Sequence, residues 1–122
     1  MLVAFGSRVT APPPPGPNSD LDIAISLAAP RQRMGLWTYD ERLSRLFPGE
    51  SLDLSFLDGA DPLFRWEIMR RSVLLWGDPD AYCEMRAFAC RDFIESADLF
   101  ALERTLAERK LARVRRLVDA AP

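Results

Sequence analysis

Residues Thr10 to Ser19 read TAPPPPGPNS. Consecutive prolines fix φ and remove N–H donors, so neither a helix nor a central strand can run through this stretch. An extended loop of polyproline II type is expected instead. It separates two apolar segments. Leu2 to Phe5 (LVAF) ends at Gly6, the pattern of a buried strand stopped by a turn. Asp20 to Leu27 (DLDIAISL) reads as a second strand. The chain must therefore leave one strand through a Gly-Ser turn, cross a stiff spacer, and return on another.

Beyond these strands, residues 28–37 read as irregular. Thr38 to Leu46 reads as a short helix capped by Thr38, with Glu41 three positions on, and ended by Phe47-Pro48-Gly49. Leu52 to Leu57 alternates as a half-buried strand, with Leu52, Leu54 and Phe56 on one face and Asp53 and Ser55 on the other. Asp61-Pro62 opens another helix. Ser72 to Trp76 is a fourth short strand, closed by Gly77-Asp78-Pro79. Helical spacing then takes over, in Tyr82, Met85, Ala89 and Phe93 and again in Cys83, Ala87, Cys90 and Ile94. A last helix runs from about Leu99 to Val118. At 122 residues, 48% of them hydrophobic, the chain has material for one core. The expected class is α+β: a small mixed sheet of about four strands with flanking helices and a helical C-terminal part. Residues 1–122 form one domain, with the sheet and catalytic part in 1–77 and the C-terminal helices in 78–122.

The residue inventory excludes several chemistries. There is no histidine, which removes Ser-His-Asp and Cys-His mechanisms. The only lysine is Lys110, so no Walker-type G-K-[ST] loop exists. Cys83 and Cys90 are seven positions apart in a helical segment, ~10.5 Å of rise, too far for a disulfide within one straight helix. Reduced core thiols are expected, and Trp66 and Trp76 are expected in the core as well. A formal charge of −2 argues against direct nucleic-acid binding. No run approaches the ~20 apolar residues of a membrane span. The segment before Gly6 is too short for a secretory signal, and a cytoplasmic protein is expected. Chemistry must rest on carboxylates, arginines, hydroxyls and backbone amides.

Asp20 and Asp22 are two apart on a strand, so both carboxylates are expected on one face while Leu21 faces the core. Hard oxygen ligands at that spacing suit Mg²⁺, which prefers carboxylates together with substrate phosphates. Asp53, on the polar face of a later strand, can supply a third carboxylate, to a metal or to a proton. Gly6 lets the backbone approach a ligand, and turn amides form anion-binding concavities. Ser7 adds a hydroxyl donor and Arg8 a cation. Each element alone also occurs in ordinary turns and exposed strands. Asp58, Asp61, Asp78 and Asp80 stand beside turn glycines or prolines and are assigned to turns and caps.

Gly6-Ser7, then Asp20-Leu21-Asp22, then Asp53, resembles the signature of the polymerase-beta-like nucleotidyltransferase superfamily. The segment LDLSFLDGADPLFRWEIMRRSVLLWGDPDAYCEMRAFACRDF is similar to the part that follows the third carboxylate in minimal nucleotidyltransferases of the MntA antitoxin kind. These are partners of HEPN-family toxins. The resemblance implies transfer of AMP from Mg²⁺-ATP to a tyrosine hydroxyl of a cognate HEPN ribonuclease, neutralising it within a hetero-oligomer. By position it implies Asp20, Asp22 and Asp53 as catalytic and metal-binding residues, and Gly6, Ser7 and Arg8 as nucleotide-binding residues. Two departures are visible. Twelve residues, Arg8 to Ser19, separate Ser7 from Asp20, more than is usual in the family. The chain also starts almost on its first strand, where members carry a helix. A catalytically degenerate antitoxin that acts by occluding the toxin is therefore an alternative reading. A nucleotidyltransferase with a small-molecule acceptor is a third.

Overall fold

The computed structural model describes residues 1–10, 16, 19–28 and 34–120, the side chain of Thr10 excepted. The prolines of the loop after Thr10, and the middle of the irregular stretch 28–37, lie outside the described residues.

Strand β1 (Leu2–Phe5) runs into Gly6 and a single helical turn, α1 (Ser7–Thr10). Strand β2 (Leu21–Ile25) follows, then helix α2 (Leu36–Ser44) and strand β3 (Leu52–Phe56). Helix α3 (Pro62–Met69), strand β4 (Val73–Trp76) and helices α4 (Pro79–Glu95) and α5 (Ala97–Asp119) complete the chain. The four strands form one mixed sheet in the order β3-β2-β1-β4. β1 is antiparallel to both β2 and β4, while β2 and β3 are parallel. The class is α+β with a four-stranded mixed sheet and flanking helices.

Register decides which side chains meet the helices. Val3 lies opposite Ala24 and beside Leu74, so these residues share a face. That face carries the core, where Val3 and Ala24 are buried with Leu57, Ile68 and Met69 of the α3 region and Ala89 of α4. Trp66, Tyr82 and Met85 pack against the same cluster. The α4 stripe anticipated from Tyr82, Met85, Ala89 and Phe93 is the inward one, with Phe93 stacked on Trp66 at 6.1 Å between centroids. The parallel stripe through Cys83, Ala87 and Ile94 faces outward. Both thiols are free, but Cys83 is exposed, so only Cys90 is partly covered.

Caps and one ion pair hold the α3–α4 layer. Asp61 accepts a hydrogen bond from the Phe64 amide at 2.9 Å, with Pro62 in the first turn. Asp78 caps α4 by accepting from the Asp80 amide at 3.1 Å. Arg65 of α3 donates to Asp92 of α4 at 2.5 Å and to the Ala60 carbonyl at 2.6 Å, so one guanidinium ties two helices and a loop. These assignments follow the turn-and-cap reading of Asp61 and Asp78.

Helix α2 departs from expectation. It begins two residues before Thr38, with Gly35 at the cap position and no side-chain cap bond, so Thr38 lies inside the helix. Leu43 is the buried anchor of α2, and Tyr39 meets Phe56 of β3 edge-on at 5.7 Å. The Thr38–Glu41 capping pattern is not used: Thr38 is already inside the helix, and Glu41 pairs with Arg45 at 3.0 Å instead. Trp76 also differs from its core assignment, because β4 is an edge strand and its indole is 69% exposed. No helix among the described residues is long and apolar enough to cross a membrane.

Met69 is fully buried in the central cluster. Met69→Ala is expected to lower unfolding free energy by about 2–5 kcal/mol, read from urea denaturation, with the urea dependence of unfolding unchanged.

Candidate functional site

The topology sends the ends that carry the sequence motif to one edge of the sheet. β1 finishes there, while its antiparallel neighbours β2 and β4 begin there, as does β3 parallel to β2. Gly6-Ser7, Asp20, Asp22 and Asp53 are consequently gathered although up to 47 positions separate them (53 − 6). Phe5 pairs with Asp22, and Asp22 pairs with Asp53, so Asp22 is the middle of three adjacent strand positions. Asp22 and Asp53 project to the same side of the sheet as Val3 and Ala24, the side covered by α3 and α4. Asp20 lies just before β2, where the Leu21 amide donates to the Ser51 carbonyl at 2.8 Å. By strand alternation Asp20 keeps the side of Asp22.

Gly6 is required where it stands. Its φ is +77°, and a Cβ there would lie 2.0 Å from Asp22 Oδ2 and 2.9 Å from its Cγ. The turn after β1 therefore brings bare backbone directly against the central carboxylate. Ser7 follows on the exposed side. The Gly6 carbonyl accepts from the Val9 amide at 3.2 Å, closing the turn.

Electrostatics single out Asp22. Its carboxyl is pushed above the usual carboxylate range, first by burial, then by the charge of Asp53 and then by that of Asp20. Asp20 and Asp53 are both exposed, with water to screen them. Arg8 points instead at Glu50, the residue before Ser51 and β3. Its two terminal nitrogens donate to the two carboxylate oxygens, one of them at 3.2 Å. The pair raises Arg8 and holds Glu50 below the usual carboxylate range through that hydrogen bond. Glu50 is a site neighbour that sequence reading missed. No motif marks it, and only the parallel register of β3 on β2 brings it beside the Gly-Ser turn.

Asp58 makes a different kind of contact. It accepts from Ser26 Oγ at 3.2 Å and from the Leu27 amide at 2.6 Å, fixing the far ends of β2 and β3. Its turn role matches expectation and removes it from the chemistry.

The donor set was tested against a divalent cation. Among the described residues, no three carboxylates or thiols are gathered closely enough to enclose a metal ion. The three aspartates nevertheless share an edge, where burial first and then the charges of Asp53 and Asp20 raise the Asp22 carboxyl. Among the described residues none of the three aspartates is in an ion pair, and hard oxygen donors of that charge suit Mg²⁺ chemically. The residues fit the group by donor type and charge.

The family model described as polymerase beta, nucleotidyltransferase matches residues 1–80. A toxin–antitoxin structure with AMP-PNP aligns with a TM-score of 0.58 at 18% identity, covering 96% of this chain and 84% of that one. The MntA-HepT toxin–antitoxin structure gives 0.53 at 17%, with coverage of 96% and 81%. The Shewanella oneidensis structure of a tri-AMPylated HEPN toxin in complex with an MNT antitoxin gives 0.52 at 16%, again with 96% and 81%. At these identities the likeness is one of fold. The comparison with curated proteins gives no match.

Two outcomes follow from the geometry. Gly6→Ala is expected to cost about 1–3 kcal/mol from the positive φ, with more from displacing Asp22, measured by thermal or urea denaturation. Asp22→Asn is expected to stabilise the metal-free protein at pH 7. A carboxyl raised on folding contributes stability below its unfolded value, and that contribution is lost as pH rises through the folded one. The melting-temperature gap between Asp22→Asn and wild type should therefore shrink as pH falls toward 4. A gap that widens on acidification is the contrary result.

Proposed function

The chain belongs to the polymerase beta nucleotidyltransferase family, and on that premise we propose that it is an antitoxin that transfers AMP from Mg²⁺-ATP to a tyrosine hydroxyl of a cognate HEPN toxin. The observation that carries this reading is Asp22, packed against bare backbone at Gly6 on one side and paired with Asp53 on the other. A carboxylate in that position can hold a cation while the Gly6-Ser7 turn faces the phosphates that the same cation binds.

Each residue then has a role. Asp20 and Asp22 would hold Mg²⁺, with Asp53 sharing in that binding, and the ion would supply charge neutralisation for the phosphates and the leaving pyrophosphate. Asp53, exposed at the sheet edge, also takes the proton of the incoming hydroxyl. The acceptor oxygen bonds to the α-phosphorus, the bond from that phosphorus to the bridging oxygen breaks, and pyrophosphate leaves with both electrons. Ser7 and the turn amides orient the phosphates. Arg8 reaches a phosphate by exchanging the carboxylate of Glu50 for it, one planar two-oxygen acceptor for another.

A protein acceptor is favoured by helix α5. Its 23 residues include no buried one, and Leu99, Leu102, Leu106, Leu111, Val114 and Leu117 are about half exposed or more. An apolar stripe of that length on a chain of this size marks a surface that a partner covers. The solved toxin–antitoxin relatives of similar fold support a HEPN toxin as that partner. Binding through α5 would also neutralise the toxin by occlusion alone, so chemistry and occlusion must be separated.

Labelled ATP, Mg²⁺ and a purified HEPN toxin candidate provide the test. Wild-type protein is expected to label the toxin, and Asp22→Asn to slow labelling by roughly 100-fold or more. A complex that forms without labelling overturns the transfer reading. An Asp20→Asn, Asp22→Asn double variant that protects cells as well as wild type would establish occlusion. Replacing Leu102 and Leu106 together by Glu is expected to weaken toxin association at least about tenfold, measured by calorimetry, without lowering the melting temperature.

A further inference from the structure

A cavity of about 310 Å³ opens on the other flank of the Gly6-Ser7 turn. Gly6, Ser7, Phe64, Glu67, Arg70 and Arg71 are among its lining residues. The sheet explains the juxtaposition. Val73 pairs with Ala4, so the residues entering β4 reach the edge where β1 ends. The two arginines at the end of α3 are thereby set beside the Gly-Ser turn, on the side away from Asp53.

The two are not equivalent. Arg70 is engaged with Glu67 at 2.6 Å, and its carbonyl accepts from Arg86 at 3.2 Å. Arg71 takes part in no ion pair among the described residues, although it lines the cavity with Ser7. With Glu67 neutralising Arg70, the charge left in this cavity is the Arg71 guanidinium. Across the turn, the aspartates are uniformly negative. An extended polyanion lying along Gly6-Ser7 would therefore keep one end near the cation-holding carboxylates and bring the other to Arg71.

We propose that Arg71 binds the terminal phosphates of the nucleotide and the pyrophosphate released from it. This rests on the nucleotidyltransferase reading and adds to it a direction: the reacting phosphate at Asp22, the tail toward α3. Arginine suits the role because its planar fork donates two parallel hydrogen bonds to phosphate oxygens. Phe64 and Ile68 supply an apolar wall that limits water around those bonds.

Calorimetric titration with Mg²⁺ and either α,β-methylene-ATP or AMP tests the assignment. Arg71→Gln should weaken the triphosphate analogue about tenfold or more and leave AMP within twofold of wild type. Arg71→Lys should recover part of the loss, and inorganic tripolyphosphate should compete with the analogue on wild type but poorly on Arg71→Gln. Arg104→Gln on α5 controls for net charge and should bind as wild type. Unchanged affinity for the analogue in Arg71→Gln, or equal loss for analogue and AMP, overturns the role of Arg71. Wild-type protein that binds neither nucleotide overturns the nucleotidyltransferase reading itself.

Discussion

Asp22 lies against the backbone of Gly6, and the arrangement of the sheet edge depends on that contact. A side chain of any size at position 6 would collide with the carboxylate. The positive φ at Gly6 turns the chain out of β1 at that level, into the helical turn that presents Ser7 and Arg8. β2 is held between antiparallel β1 and parallel β3, which fixes Asp22 midway between the turn and Asp53. The same placement half-buries a carboxylate among like charges, which is unfavourable for folding. Stability must then come from elsewhere. The buried cluster of Val3, Ala24, Leu57, Ile68, Met69 and Ala89 provides it further along the same face.

That division of labour resembles other sites that depend on stored electrostatic cost. A carboxyl raised by burial and by two neighbouring negative charges is relieved by whatever cation is bound there. On the proposed reading, ligand binding and folding would be coupled through that one residue. The Arg8–Glu50 pair is a counterpart at the same turn, an internal carboxylate occupying a guanidinium that a phosphate could take.

Much of this was legible in the sequence because it depended on local chemistry. The four strands appear where apolar runs and alternation placed them, and Asp61-Pro62 and Asp78-Pro79 start helices by side-chain capping. The pairing of Asp20 with Asp22 followed from strand period alone. What was not legible depended on tertiary partners. Thr38 is a good cap residue in a good context, yet α2 begins two residues earlier, with Glu41 paired to Arg45 and Tyr39 set against Phe56 of β3. Trp76 is apolar enough for a core, but only sheet order shows that β4 is an edge. Glu50 and Arg71 carry no local signal, and both approach the Gly-Ser turn through strand register.

The asymmetry across Gly6-Ser7 gives the edge a polarity that neither composition nor net charge conveys. On the β2–β3 side the charges are Asp20, Asp22 and Asp53, with Arg8 already matched by Glu50. On the β4 side they are Arg70, matched by Glu67, and Arg71. Among the described residues, setting aside the matched pairs leaves three aspartates on one side of the glycine turn and Arg71 on the other. A free anion would avoid such a place, because the carboxylates outnumber the arginine. A polyanion that arrives with its own divalent cation meets the opposite situation, since the cation answers the carboxylates and the far phosphates answer the arginine. On the proposed nucleotidyltransferase reading, such a turn would favour metal-bound polyphosphate over either component alone and would set the orientation in which that ligand lies.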